Sequence, residues 1–153
     1  MSTGTSPSLD RPAVDLALLI VRVVGGIIMT AHGAQKLFGA FGGPGLEKVV
    51  EMMGPIGYPV VIGEFFGGLG LIFGFLSRFS AAANIVIMIG AIAMVHGKNG
   101  FFLSDQGFEY NLALIGLFAP TMIAGPGQYA IGRFLPLPLP RSARTGRPVV
   151  VLE

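Results

Sequence analysis

The chain has 153 residues, of which 52% are hydrophobic and only 12% charged. That length suits one domain, and that balance, with a positive mean hydropathy, suits lipid better than water. The formal net charge is only +2 and the basic residues are not interleaved with aromatics, which excludes a nucleic-acid surface; the absence of cysteine excludes a disulfide, a thiolate nucleophile, a Cys-ligated cofactor and a covalently attached c-type haem.

Residues 1–12 are Ser, Thr, Pro and Gly around Asp10 and Arg11, with nothing to bury, and read as a disordered tail. A first span follows over 13–38, long enough for the ~20 residues that a bilayer core requires. At about 100° per residue, Arg22, Gly25, Met29, His32, Gly33 and Lys36 fall on one stripe of an otherwise Val, Ile, Leu and Ala rod. A cleaved signal peptide is the competing reading, weakened by an apolar stretch that is too long and a basic n-region that is too thin.

Residues 39–59 are irregular: GAFGGPG, a short amphipathic segment over 46–53, then GPIGYP. Glycine and proline break any continuous helix there, yet Phe41, Val49, Val50, Met52, Met53 and Ile56 keep the segment apolar. It is expected to pack over the bundle or dip into it as a re-entrant loop, because irregular backbone at membrane depth must be covered by protein or line a wet cavity. The second span, 60–76, carries Gly63, Gly67, Gly70 and Gly74 in small-xxx-small spacing. Glu64, Gly68, Leu71, Phe75 and Arg78 are expected to share one of its faces. Almost no loop separates it from the third span, 79–96, which predicts a tight antiparallel hairpin with Asn84 as its polar marker.

A polar, aromatic-containing loop, KNGFFLSDQGF, precedes a fourth span over 109–123, with Pro120 expected to bend its last turn. Residues 133–153 are rich in Pro and Arg, with Arg133, Arg141, Arg144 and Arg147, and read as an extended or disordered tail. The fold class is therefore all-α, a four-helix membrane bundle over 13–132. The positive-inside rule places both termini in the cytoplasm, with Arg11, Arg78 and the C-terminal arginines on that side and Lys36, Lys48 and Lys98 opposite.

Every span then brings an ionisable group toward the outer end: His32 and Lys36, Glu64, His96 and Glu109. Ionisable groups within a membrane face the bundle and find partners. Their convergence predicts a polar pocket at the outer end, roofed by the 39–59 loop. Each residue also has a structural alternative. Lys36 can snorkel to headgroups, Glu64 can merely neutralise Lys36 or Arg22, and His96 can be interfacial. Arg22 and Arg78 read as structural or lipid-contact residues, with Asp15 an available partner for Arg22. The glycines of the second span read more readily as close packing than as a cofactor cleft. Two histidines at similar depth also permit a bis-imidazole b-type haem, although no supporting acceptor for either ring is legible, and no tight spacing supports a metal site.

At these residues the chain resembles the DoxX family of small four-span membrane proteins. The resemblance covers about Leu18 to Gly132 and rests on the stretch ending HGAQKL, on GEFFGGLGLIFGFLSRFSAA, and on HGKNGFF, GFEYNLAL and GPG in order. It implies a multi-pass protein of a bacterial or archaeal cell membrane, and marks Arg22, His32, Lys36, Glu64, Arg78, Glu109 and Tyr110 as motif positions. One branch of that family resembles a subunit of thiosulfate:quinone oxidoreductase. This implies a quinone-linked oxidoreductase component, with quinone as its cofactor and other redox subunits or a second copy as partners. The alternative is a non-catalytic accessory or scaffold subunit, held through cytoplasmic arginines and lipid-facing glycine surfaces. A transporter is disfavoured by the short chain and the lack of a visible inverted repeat.

Overall fold

A computed structural model describes residues 10–133, and among these every regular element is helical. The tail expected over 1–12 and the Pro/Arg-rich segment that follows residue 133 lie almost wholly outside the described residues. Helix α1 (Arg11–Phe38) starts inside the expected tail because Pro12 occupies its first turn, where a missing N–H costs no intrahelical bond. Its 28 residues give a rod of about 42 Å, enough to cross a bilayer. The buried face is Leu18, Arg22, Gly25, Gly26, Met29 and Gly33, so the polar stripe is turned inward.

Between α1 and the next long helix lie a 3₁₀ turn (Ala40–Gly42), the short α2 (Gly45–Met53) and a second 3₁₀ turn (Gly54–Ile56). Val49 is the buried residue of α2 and pins it against the bundle, while Phe41 and Met52 are exposed. Helix α3 (Gly57–Phe73) begins earlier than Val60 because Pro59 sits in its first turn, where the N–H groups have no intrahelical acceptor. It also ends earlier than Leu76. Gly74, at φ +73°, takes the left-handed conformation that closes a helix, and the Phe75 N–H returns to the Gly70 carbonyl at 2.9 Å. The shared face expected to run through Phe75 and Arg78 therefore stops at Leu71. Past the turn both residues are exposed.

Helix α4 (Ser77–Ala91) follows after three residues, forming the expected hairpin, and passes into a π turn (Ile92–His96) and a 3₁₀ turn (Gly97–Asn99). Its buried stripe is Ser77, Ser80, Ala81, Asn84 and Met88. The loop to α5 (Glu109–Ala124) holds itself together: Phe101 meets Phe102 and Phe108 edge-on, and the Glu109 N–H bonds the Phe101 carbonyl at 2.9 Å.

The four long helices form a ring in which α1 packs on α3, α3 on α4, α4 on α5 and α5 back on α1. Met29, Leu71, Ala81, Met88, Leu114 and Phe118 make the shared core. The α1–α3 contact is the closest. A Cβ on Gly26 would lie 2.7 Å from the Gly68 carbonyl oxygen, and one on Gly68 would lie 2.5 Å from the Thr30 nitrogen. The glycines on the other side of α3 are also used internally: a Cβ on Gly63 would meet Ile87 and one on Gly67 would meet Asn84. They form the α3–α4 seam, and beside it Gly63, Gly67 and Gly70 line an open apolar groove with Phe66, Phe73 and Phe79. Outward, Ile20, Ile27, Phe66, Phe79, Val86 and Ile123 are exposed, as lipid-facing side chains should be. Helical stretches Arg11–Phe38, Ala40–Phe73 and Ser77–Asn99 are long and apolar enough to cross a membrane, and α5 is a shorter apolar helix.

Candidate functional site

Alternating helix directions divide the polar groups between two ends. The hairpin end holds the start of α1, the α3–α4 turn and the end of α5. The loop end holds the end of α1, α2, the start of α3 and the loop over 97–108.

At the loop end, His32 and Lys36 stand one turn apart on α1, close to its C-terminus, where a cation is also favoured by the helix dipole. Lys36 Nζ donates to Glu64 Oε1 of α3 at 2.5 Å. The two partners differ in exposure: the Lys36 side chain is 31% accessible and that of Glu64 only 3%. Glu64 Oε2 is buried and, among the described residues, has no hydrogen-bond partner. The pair forms because Gly33 lets α3 come in close; a Cβ there would sit 2.5 Å from the Phe65 Cα. One turn back along α1, His32 Nε2 lies 3.3 Å from the Tyr110 hydroxyl of α5, with the two rings edge-on and their centroids 6.1 Å apart. Three helices thus place an ammonium, a carboxylate, an imidazole and a phenol along two adjacent turns of α1.

His96 and Glu109 are placed otherwise. The π turn carries His96 out to the loop, where its Nδ1 lies 2.8 Å from the Gln106 carbonyl oxygen, which also accepts from Asn99 Nδ2 at 3.2 Å. Glu109, the first residue of α5, accepts the Leu103 N–H at 2.6 Å. Both fasten the loop over 97–108. The position of Glu109 directly after the Gly and Phe of that loop was a legible signal, since an acidic residue at a helix start commonly serves nearby N–H groups. The cavity beneath α2, about 520 Å³, is bounded by Leu37, Phe38, Leu46, Lys48, Val50 and Tyr58 among others; Lys36, Glu64 and His32 are not in its wall.

At the hairpin end, Arg22 is 1% exposed and, among the described residues, meets no carboxylate. Its Nη1 donates to the carbonyls of Leu71 (2.7 Å) and Ile72 (2.6 Å), its Nε to Pro126 (3.2 Å), and its Nη2 to Tyr129. Leu71 and Ile72 lie in the last turn of α3, where carbonyls run short of helical donors and Leu71 has only the Gly74 N–H at 3.3 Å, so the guanidinium caps that helix end and ties it to the segment after α5. Asp15, the expected partner, instead accepts the Gln128 N–H at 2.9 Å. Arg78 donates to the Ile123 carbonyl at 3.2 Å and so serves the end of α5. In mid-bundle, Thr30 Oγ1 and Asn84 Oδ1 are buried without partners among the described residues, two groups that residue types alone did not mark as part of a site.

The DoxX family model matches residues 17–97. The chain is 31% identical over 124 residues to Inner membrane protein YqjF of Escherichia coli (strain K12), an alignment covering 79% of this chain and 93% of that protein. It is 30% identical over 106 residues to Putative oxidoreductase CatD of Bacillus subtilis (strain 168), covering 65% of this chain and 74% of that one. No solved structure matches it.

Proposed function

Because this chain belongs to the DoxX family of membrane proteins, we propose that it is a quinone-linked component of a membrane redox system, with its headgroup site at the loop end of the bundle. The observation that carries this reading is the half-buried Glu64–Lys36 pair one helical turn from His32 and Tyr110. A quinone headgroup needs hydrogen-bond donors and groups able to exchange protons at membrane depth, and these four side chains supply both. The apolar outer faces accept an isoprenoid tail. The name of the CatD relative adds support from outside the geometry. Electron carriers belong to a partner subunit, since this chain has no cysteine to hold a cluster.

The charge distribution supports an orientation with both termini in the cytoplasm. Among the described residues, the hairpin end carries Arg11, Arg22 and Arg78 against Asp10 and Asp15. The loop end carries Lys36, Lys48 and Lys98 against Glu47, Glu51, Glu64, Asp105 and Glu109. The more basic hairpin end goes to the cytoplasm, and the proposed site faces outward.

The alternative is a non-catalytic accessory or scaffold subunit, for which the apolar groove along Gly63, Gly67 and Gly70 offers a contact surface. The deciding experiment is mass spectrometry of the protein gently solubilised from its native membrane. A co-purifying quinone, lost in folded Lys36→Ala and Glu64→Ala variants, is the expected result. A quinone-free protein that brings down stoichiometric partner subunits would favour the accessory-subunit reading instead.

A further inference from the structure

We propose that the loop-end site distinguishes the oxidation state of its ligand and prefers the reduced, dihydroxy ring over the oxidised, dicarbonyl ring. This rests on the quinone reading above and adds to it which form is held, and by which atom.

A carboxylate accepts hydrogen bonds and donates none. Of the two Glu64 oxygens, Oε1 is taken by Lys36 at 2.5 Å, and Oε2 is buried with no partner. A ligand group that meets Oε2 must therefore bring a proton. The hydroxyl of a hydroquinone does so. The carbonyl of a quinone sets lone pairs against lone pairs and leaves both oxygens desolvated and unbonded, the costly arrangement for buried polar groups.

The neighbouring groups do not discriminate in this way. Lys36 has three N–H donors, one of them used on Glu64, and a ligand oxygen accepts from it in either oxidation state. The His32 ring and the Tyr110 hydroxyl can each donate or accept, so the pair adjusts to a hydroxyl or to a carbonyl. Only Glu64 has a fixed requirement. Its helix neighbours do not relieve it: among the described residues, the Lys36 side chain is its one hydrogen-bond partner.

The test is a pair of anaerobic titrations of the full-length protein in lipid nanodiscs, one with duroquinone and one with durohydroquinone, followed by calorimetry. The wild type is expected to bind durohydroquinone about tenfold more tightly, the scale of one buried hydrogen bond to a charged group gained or lost. Glu64→Gln, whose amide both donates and accepts, should bring the two affinities together, while Lys36→Arg, which keeps the ion pair, should retain the preference. Equal affinities in the wild type, or a preference for duroquinone, overturn the proposal whether or not any variant folds. A preference that survives Glu64→Gln overturns the role given to Glu64. If neither compound binds while the protein is folded, the quinone-linked reading itself fails.

Discussion

Arg22 and Glu64 are both charged, both buried and both on the inward faces of membrane helices, yet the fold treats them in opposite ways. Arg22, at the hairpin end, is satisfied by four main-chain carbonyls. Glu64, at the loop end, has one side-chain partner and keeps one oxygen free. A guanidinium has five N–H donors in a rigid fork and can saturate itself on the orphan carbonyls of a helix end. A carboxylate in mid-helix finds no free N–H, because the backbone donors around it are already committed to the helix. Arg22 is thus a clamp that is complete without any ligand, and Glu64 is a group with capacity left over.

Substitutions should separate the two ends. The largest effect is expected from Arg22→Ala, which takes the charged donor away from the carbonyls of Leu71, Ile72, Pro126 and Tyr129 together; loss of roughly 3–5 kcal/mol, read by thermal unfolding in detergent, follows from breaking a buried charged network. Lys36→Ala strands Glu64 and should cost roughly 3 kcal/mol, somewhat less because Lys36 is partly exposed. In the double variant Lys36→Met with Glu64→Met much of that loss should return, and a thermodynamic cycle that showed simple additivity would argue against the pair as drawn. Gly68→Ala forces a Cβ against Thr30 and should cost about 1–3 kcal/mol as α1 and α3 are pushed apart. Tyr110→Phe removes one long hydrogen bond and should cost about 1 kcal/mol or less in stability, with its larger effect in ligand affinity. Gly116→Ala is the benign control: a Cβ there has open space, and helix propensity gains up to about 1 kcal/mol.

The bundle was legible because hydropathy and spacing act locally. The Arg22 to Lys36 stripe, the short α3–α4 turn and the small-residue spacing of α3 can each be read from a few neighbouring residues. The span ends shifted where one backbone detail decided them, as when Gly74 closes α3 and turns Phe75 and Arg78 off its face. The site was less legible. The candidate residues were placed at one end by depth alone, and depth does not say which way a side chain points. The π turn sends His96 to the loop, and the first position of α5 gives Glu109 to the Leu103 N–H. The partners of Arg22 left no trace in residue identities, because a carbonyl acceptor is present at every position of the chain.

The Arg22 clamp also imposes an order of assembly. Two of its four acceptors, Pro126 and Tyr129, belong to the segment that follows the last membrane helix, whereas Arg22 itself is in the first. While the chain is being made, the first helix enters the bilayer with a cation whose final partners do not yet exist. That helix stays short of its resting state until α5 has crossed and the segment behind it has folded back beneath α3. A polypeptide ending before Pro126 would lack two of the four acceptors and hold a less satisfied charge in its earliest span.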